Sequence, residues 1–309
     1  MIVTKMAENN APKPAGPVIV DAYLPPQIAF RIDSVALVKA RLSLSQTFML
    51  SILAGVYLAL GAQFATLVIS DSTLHLGLTS LIEGIVYSLG FILAVIGGAE
   101  VFTGNCLIII GYVSKRITTR ELLNNWTISY TGNFIGSLTM VCWLYKTHQW
   151  EFFHHMVGAK ALLIAHKKVN LSFMAAFARG VLCNALICLA VWLCFSGRSV
   201  ADKVISIIFP IGGFVASGFE QCVSNMYFIP IGIVLRKNKA VVAAAEKMTG
   251  KTLDLSQLTW KGFFINNLIP VTLGNIVGGV VLVGIVFWFV YLRPHINVSF
   301  SVKQDFSHK

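Results

Sequence analysis

Four charged side chains, Glu83, Glu100, Arg179 and Glu220, stand inside stretches that are otherwise almost wholly apolar. A charge in such surroundings is costly unless it is paired or faces a wet cavity, so each one needs a reason to be there. Glu100 follows Gly97-Gly98-Ala99, and Glu220 follows Ser217-Gly218-Phe219. Both therefore fall where a long apolar segment carries small residues that can break a helix. A carboxylate at a break can accept freed N–H groups or hold neighbouring segments, so Glu100 and Glu220 are read chiefly as scaffold, with Asn105 and Asn225 beside them. Thr103 and Asn105 offer a hydroxyl and an amide. Tyr87, Phe91, Phe102 and Phe214 are candidates for apolar constrictions, with Phe102 and Phe214 nearest the breaks. Polar contacts between apolar narrowings have the make-up of a pore lining.

The elements that must position these residues are membrane helices. Of 309 residues, 56% are hydrophobic and 12% charged, against about 25% charged in soluble domains. Six apolar segments run over about Thr47–Ser70, Leu78–Val113, Trp126–Tyr145, Leu171–Phe195, Val204–Leu235 and Phe263–Leu292. The second and fifth, 36 and 32 residues long, would reach roughly 50 Å as straight helices, against a hydrocarbon core of about 30 Å. Each is expected to be broken. Asn124-Asn125 and Gly132-Asn133-Phe134-Ile135-Gly136 recur as Asn266-Asn267 and Gly274-Asn275-Ile276-Val277-Gly278, offset by 142 residues. An odd number of crossings per repeat requires the halves to insert in opposite senses.

The expected fold class is an all-α membrane protein, six transmembrane helices in two inverted three-helix repeats with broken second and fifth helices. Residues 1–45 are read as a polar tail and an amphipathic surface helix on Ile28, Ile32, Val35 and Val38. Residues 46–146 form the first repeat, 147–170 an outer loop, 171–293 the second repeat and 294–309 a polar tail. The short loop Asp71 to Gly77 lacks Lys and Arg while the loop after the fourth segment carries Arg198 and Lys203, which favours termini on the cytoplasmic side of a cell membrane.

Several other classes are excluded on the residues. The net charge of +11 comes from loops and termini and fits lipid headgroups and anions at a pore mouth; no nucleic-acid module is present. All seven histidines lie outside the apolar segments, so no axial ligand pair for haem exists. His154-His155 is read as a solvated loop, and no metal or other cofactor is expected. Gly250-Lys251-Thr252 imitates the end of a P-loop, but Ala245 stands where its first glycine belongs. The six cysteines lie in apolar segments without a C-x-x-C pair. A water or glycerol facilitator would show paired N-P-A-like motifs; only Asn105-Cys106 and Asn225-Met226 occur at the breaks.

Taken together, Glu100-Val101-Phe102-Thr103-Gly104-Asn105, Phe219-Glu220-Gln221-Cys222-Val223-Ser224-Asn225-Met226, the paired G-N-x-x-G and Leu24-Pro25-Pro26-Gln27 resemble the formate/nitrite transporter family. Cys188-Leu189-Ala190-Val191-Trp192 and Asn267-Leu268-Ile269-Pro270-Val271-Thr272 look nearest its formate channels. The resemblance implies an aquaporin-like homopentamer with one pore per protomer, no enzyme activity, and passage of formate, nitrite, acetate or lactate. By position it makes Phe102 and Phe214 constriction residues and Thr103 the polar residue at the pore centre. Tyr87 and Phe91 fall near the constrictions, Asn184 resembles a pore-lining amide, and Lys168 the lysine of the outer vestibule. The family usually places a histidine where this chain has Gln221, and an amide does not titrate near neutral pH.

A passage without that histidine is still physically available. Lys168 and the basic outer loops draw in the anion, and desolvation at an apolar constriction raises its pKa. A shift of roughly 3 units, within the range documented for buried acids, neutralises much of a formate near pH 7. Its partners are then a small anion, a proton and membrane lipid. The alternative is an electrogenic anion channel, in which amide groups replace the hydration shell.

Overall fold

The structure, a computed structural model, describes residues 22–293; the two polar tails expected at 1–20 and 294–309 lie outside the described residues. In chain order the helices are α1 (Pro25–Ala40), α2 (Leu44–Ile69), α3 (Leu76–Ile96), α4 (Phe102–Val113), α5 (Thr119–Lys146), α6 (Phe152–Val169), α7 (Phe173–Ser196), α8 (Val200–Ala216), α9 (Cys222–Leu235), α10 (Lys239–Thr249) and α11 (Trp260–Tyr291). No strand occurs among the described residues. Four helices, α2, α3, α7 and α11, are long and apolar enough to cross a membrane by length and composition.

Helix starts are written locally. Ser43 accepts the Gln46 N–H while the Gln46 side chain returns to the Ser43 N–H, and Thr118 does the same with Glu121. Such reciprocal caps satisfy two orphan donors at each start. Between Ile96 and Phe102 the chain leaves the helix: Gly98 takes φ +70° and the Ala99 N–H donates back to the Ala94 carbonyl. The stop between Ala216 and Cys222 is built alike, with Gly218 at φ +67° and the Phe219 N–H on the Phe214 carbonyl. Both are left-handed helix ends of the kind glycine serves. A methyl group on Gly98 would meet nothing within 4 Å, so Gly98→Ala should cost only the left-handed strain, about 1–2 kcal/mol. A thermal melt in detergent reads that as a modest fall.

The paired glycine motifs close helix gaps. A methyl group on Gly132 or Gly136 would run into Ser51 and the Ile52 carbonyl of α2; one on Gly274 or Gly278 would strike the Phe177 and Val181 carbonyls of α7. Small residues at these points let backbones touch, which is how helices associate where lipid supplies no hydrophobic drive.

Two stretches differ from the sequence expectation. Residues 147–170, expected only as a connecting loop, are largely helical: α6 buries Val157, Ala161, Leu162 and Ala165 and packs against α9 and α10. Its apolar positions recur at helical spacing, but a short, Lys- and His-rich segment falls below a spanning-helix signature. In α1 the buried stripe is Ile28, Ala29, Ile32 and Ala36, while Val38 faces outward. The stripe is rotated because Ala36 packs against Gly111 of α4. The matching contact in α6 is Ala165 against Gly232 of α9. Thus each short helix after a break, α4 and α9, carries a flanking helix across its back.

Candidate functional site

The two breaks are held by the same kit of parts. Lys39 Nζ donates to Glu100 Oε1 at 2.7 Å and to Asn105 Oδ1 at 3.1 Å. Asn105 Nδ2 donates to Glu100 Oε2 at 2.6 Å and to Asn125 Oδ1 at 2.9 Å, and Asn125 returns its amide to the Lys39 carbonyl. In the second set Lys168 Nζ donates to Glu220 Oε1 at 3.0 Å, Asn225 Nδ2 to Glu220 Oε2 and Asn267 Oδ1 at 2.7 Å each, and Asn267 Nδ2 to the Lys168 carbonyl. Asn133 takes the Phe102 N–H and gives its amide to the Ser51 and Glu100 carbonyls; Asn275 takes the Cys222 N–H and gives to Gly180 and Glu220. The Phe102 and Cys222 N–H groups and the Glu100 and Glu220 carbonyls, which the breaks release from helix bonds, are thereby satisfied. The sets differ in detail: Asn105 also donates to Ser129 Oγ at 3.0 Å, Asn267 also donates to Glu220 Oε2 at 3.2 Å, and Asn225 Oδ1 is buried without a partner among the described residues.

Between the breaks lies a buried polar centre. Gln221 immediately precedes α9 and Thr103 is the second residue of α4. Gln221 Nε2 donates to Thr103 Oγ1 at 3.0 Å, and Tyr87 Oη donates to Gln221 Oε1 at 3.1 Å. Ser224 Oγ is bonded to both Gln221 and Tyr87. The two short helices therefore point their positive ends at this centre, an arrangement that favours negative charge.

Aromatic rings flank it. Tyr87 lies edge-on to Phe91 and Phe214 with centroids at 6.0 and 5.9 Å, and Phe91 meets Phe214 at 6.2 Å. Phe102 packs elsewhere, against Trp126 and Tyr130 of α5. Asn184 is fully buried and donates to the Asn275 carbonyl at 2.7 Å; it makes no hydrogen bond to Gln221 or Thr103.

On one side of the centre a cavity of about 420 Å³ opens, bounded by Tyr87, Phe214, Gln221 and Ser224. Its charged wall comprises Lys160, Lys167, Lys168 and Arg179 against Glu83 and Glu220, an excess of cations. Lys168, expected to draw in the anion together with the basic outer loops, is tied to Glu220 and lies over the Phe228 ring. Glu83 and Arg179 form no ion pair with each other among the described residues; Arg179 donates to the Gly218 carbonyl. On the other side a cavity of about 30 Å³ is lined by Lys39, Gly104, Leu107 and Val191.

Sequence reasoning missed Lys39, Asn125, Asn267 and Ser224. The asparagines lay inside the quoted Asn-Asn repeat and Ser224 three residues after Gln221, so a signal existed for those. Lys39, on α1, had none.

Apolar spans, a polar centre buried among them and cavities on either side define a multi-pass helical membrane protein of transport. The chain belongs to the formate/nitrite transporter family, whose model matches residues 26–289. It is 39% identical over 282 residues to the formate channel FocA of Escherichia coli (strain K12), covering 89% of this chain and 96% of that protein. A probable formate transporter of Methanothermobacter thermautotrophicus is 37% identical, over 87% of this chain and 97% of its own. Among solved structures, a pentameric formate channel with formate bound superposes with a TM-score of 0.73 at 40% identity, covering 81% of this chain and 98% of that one.

Proposed function

We propose that this chain carries formate, and with it nitrite, acetate or lactate, across a cell membrane as anion plus proton. The observation that carries the reading is the Thr103–Gln221–Tyr87 hydrogen-bonded centre at the meeting of two helix N-termini. Positive helix ends favour an anion over a cation, and the cation-rich cavity wall favours its arrival. The printed activities of the relatives support formate as the first substrate.

The matched kits at Glu100 and Glu220 support six crossings in two inverted halves, with α3–α4 and α8–α9 as the broken second and fifth. The pentameric neighbour supports a homopentamer with one passage per protomer. The loop charges support termini on the cytoplasmic side. Phe214, Tyr87 and Phe91 serve as the constriction beside the larger cavity and Phe102 as the one on the far side. Asn184 steadies α11 beside the passage. Because Lys168 is paired, attraction belongs to the wall as a whole. Replacing Lys160 and Lys167 together by Gln should slow formate uptake on the order of tenfold at low ionic strength. The difference should shrink at high salt, as initial rates in proteoliposomes would read.

Labelled formate should accumulate in proteoliposomes above its equilibrium level when an inward proton gradient is imposed with the potential clamped. A second reading, an electrogenic anion channel, is favoured by the name formate channel on several relatives and by an untitratable Gln221. Uptake that follows the potential and ignores the proton gradient would establish that reading instead.

A further inference from the structure

Gln221 cannot exchange a proton near neutral pH, so the proton for a coupled passage must be handed over elsewhere. Glu83 lies on α3 one helical turn before Tyr87, the residue whose hydroxyl bonds Gln221. It lines the same 420 Å³ cavity as Gln221 and Ser224. Among the described residues its carboxyl makes no ion pair, and no hydrogen bond holds it to the scaffold, unlike Glu100 and Glu220. Lys160, Lys167 and Lys168 of α6 act on it electrostatically. Arg179 of α7 and Glu220 at the second break complete the charged groups of the wall, and α8 presents only Phe214, Val215 and Ala216 there. Burial and nearby ammonium groups thus act in opposite senses on its proton. A structural carboxylate would have been tied down; this one is left facing the cavity.

We propose that Glu83 is the proton donor of the passage. A monocarboxylate held by the cationic wall meets protonated Glu83; the Glu83 O–H bond breaks as an O–H bond forms on the carboxylate oxygen. The neutral acid then passes Tyr87 and Phe214 to the Gln221–Thr103 centre at the end of the same cavity, and Glu83 regains a proton from cavity water. No oxidation or reduction is involved. The inference rests on the proton-coupled reading above.

The test is the pH profile of formate uptake by full-length protein in proteoliposomes, for wild type, Glu83→Gln and Glu83→Asp, with protein-free vesicles subtracted. Wild type should hold its rate toward neutral pH. Glu83→Gln must rely on neutral acid from bulk water, so its rate should fall about tenfold per pH unit and reach at least a tenfold deficit near neutrality. Glu83→Asp should restore part of the wild-type profile. Because the carboxyl carries no scaffold bond, Glu83→Gln should elute from size exclusion as wild type does. A Glu83→Gln profile that overlays wild type, or is lowered equally at every pH, overturns the assignment. If wild type itself moves formate without protons, the coupled reading falls and this one with it.

Discussion

Glu220→Ala should be among the most damaging single changes in the chain. It strands Lys168, whose side chain is only 14% exposed, and removes the acceptor shared by Asn225 and Asn267. Breaking one side of a buried ion pair costs about 3–5 kcal/mol, because the remaining charge stays buried without compensation. Glu220→Gln keeps one acceptor oxygen for the asparagine amides and should cost less. Glu100→Ala should be milder too, since Lys39 is 30% exposed and can recover water. Thermal unfolding in detergent should rank the three in that order, with Glu220→Ala lowest. A Glu220→Ala protein that melts with wild type would mean that the ion pair does not hold the break.

Gly278→Val should rival it by a different route. Even a methyl group at Gly278 would overlap the Val181 carbonyl on α7, and that is backbone that cannot rotate away. The α7–α11 contact must open, pulling on Asn275, whose amide binds the Gly180 carbonyl and whose oxygen takes the Cys222 N–H. Overpacking of well-fitted interfaces costs about 1–3 kcal/mol and more where backbone is struck. The loss should reach transport as well, because Asn275 fixes the start of α9 beside Gln221. Formate uptake and the melting temperature should fall together. Gly98→Ala, which meets open space, is the matched control.

Much of this architecture was legible because membrane helices leave few choices. Segments too long for the bilayer announced the two stops, and Gly98 and Gly218 then took the left-handed conformations that end them. The Asn-Asn and G-N-x-x-G copies were visible because positions 125 and 267, and 133 and 275, share one offset of 142 residues. The lysines were not visible as counterparts. Positions 39 and 168 are offset by 129 residues and 100 and 220 by 120, since the connections between elements differ in length, and no single period aligns them. Lys168 therefore read as a free attractor, although Glu220 claims it. For the same reason 147–170 read as a loop: its apolar stripe serves one face of α9 and is too short to resemble a span. Gly250, which imitated part of a P-loop, ends α10 in the left-handed conformation at φ +66°. The reading of Phe102 as a constriction rested on position alone, and its ring contacts are with Trp126 and Tyr130.

The most direct test of the central claim is proton movement during formate entry. Proteoliposomes containing the wild-type chain and a pH dye, with the potential clamped, would be pulsed with formate beside protein-free vesicles. The account predicts rapid acidification of the lumen, one proton for each formate taken up. Formate entry that carries current and leaves lumenal pH unchanged would contradict it.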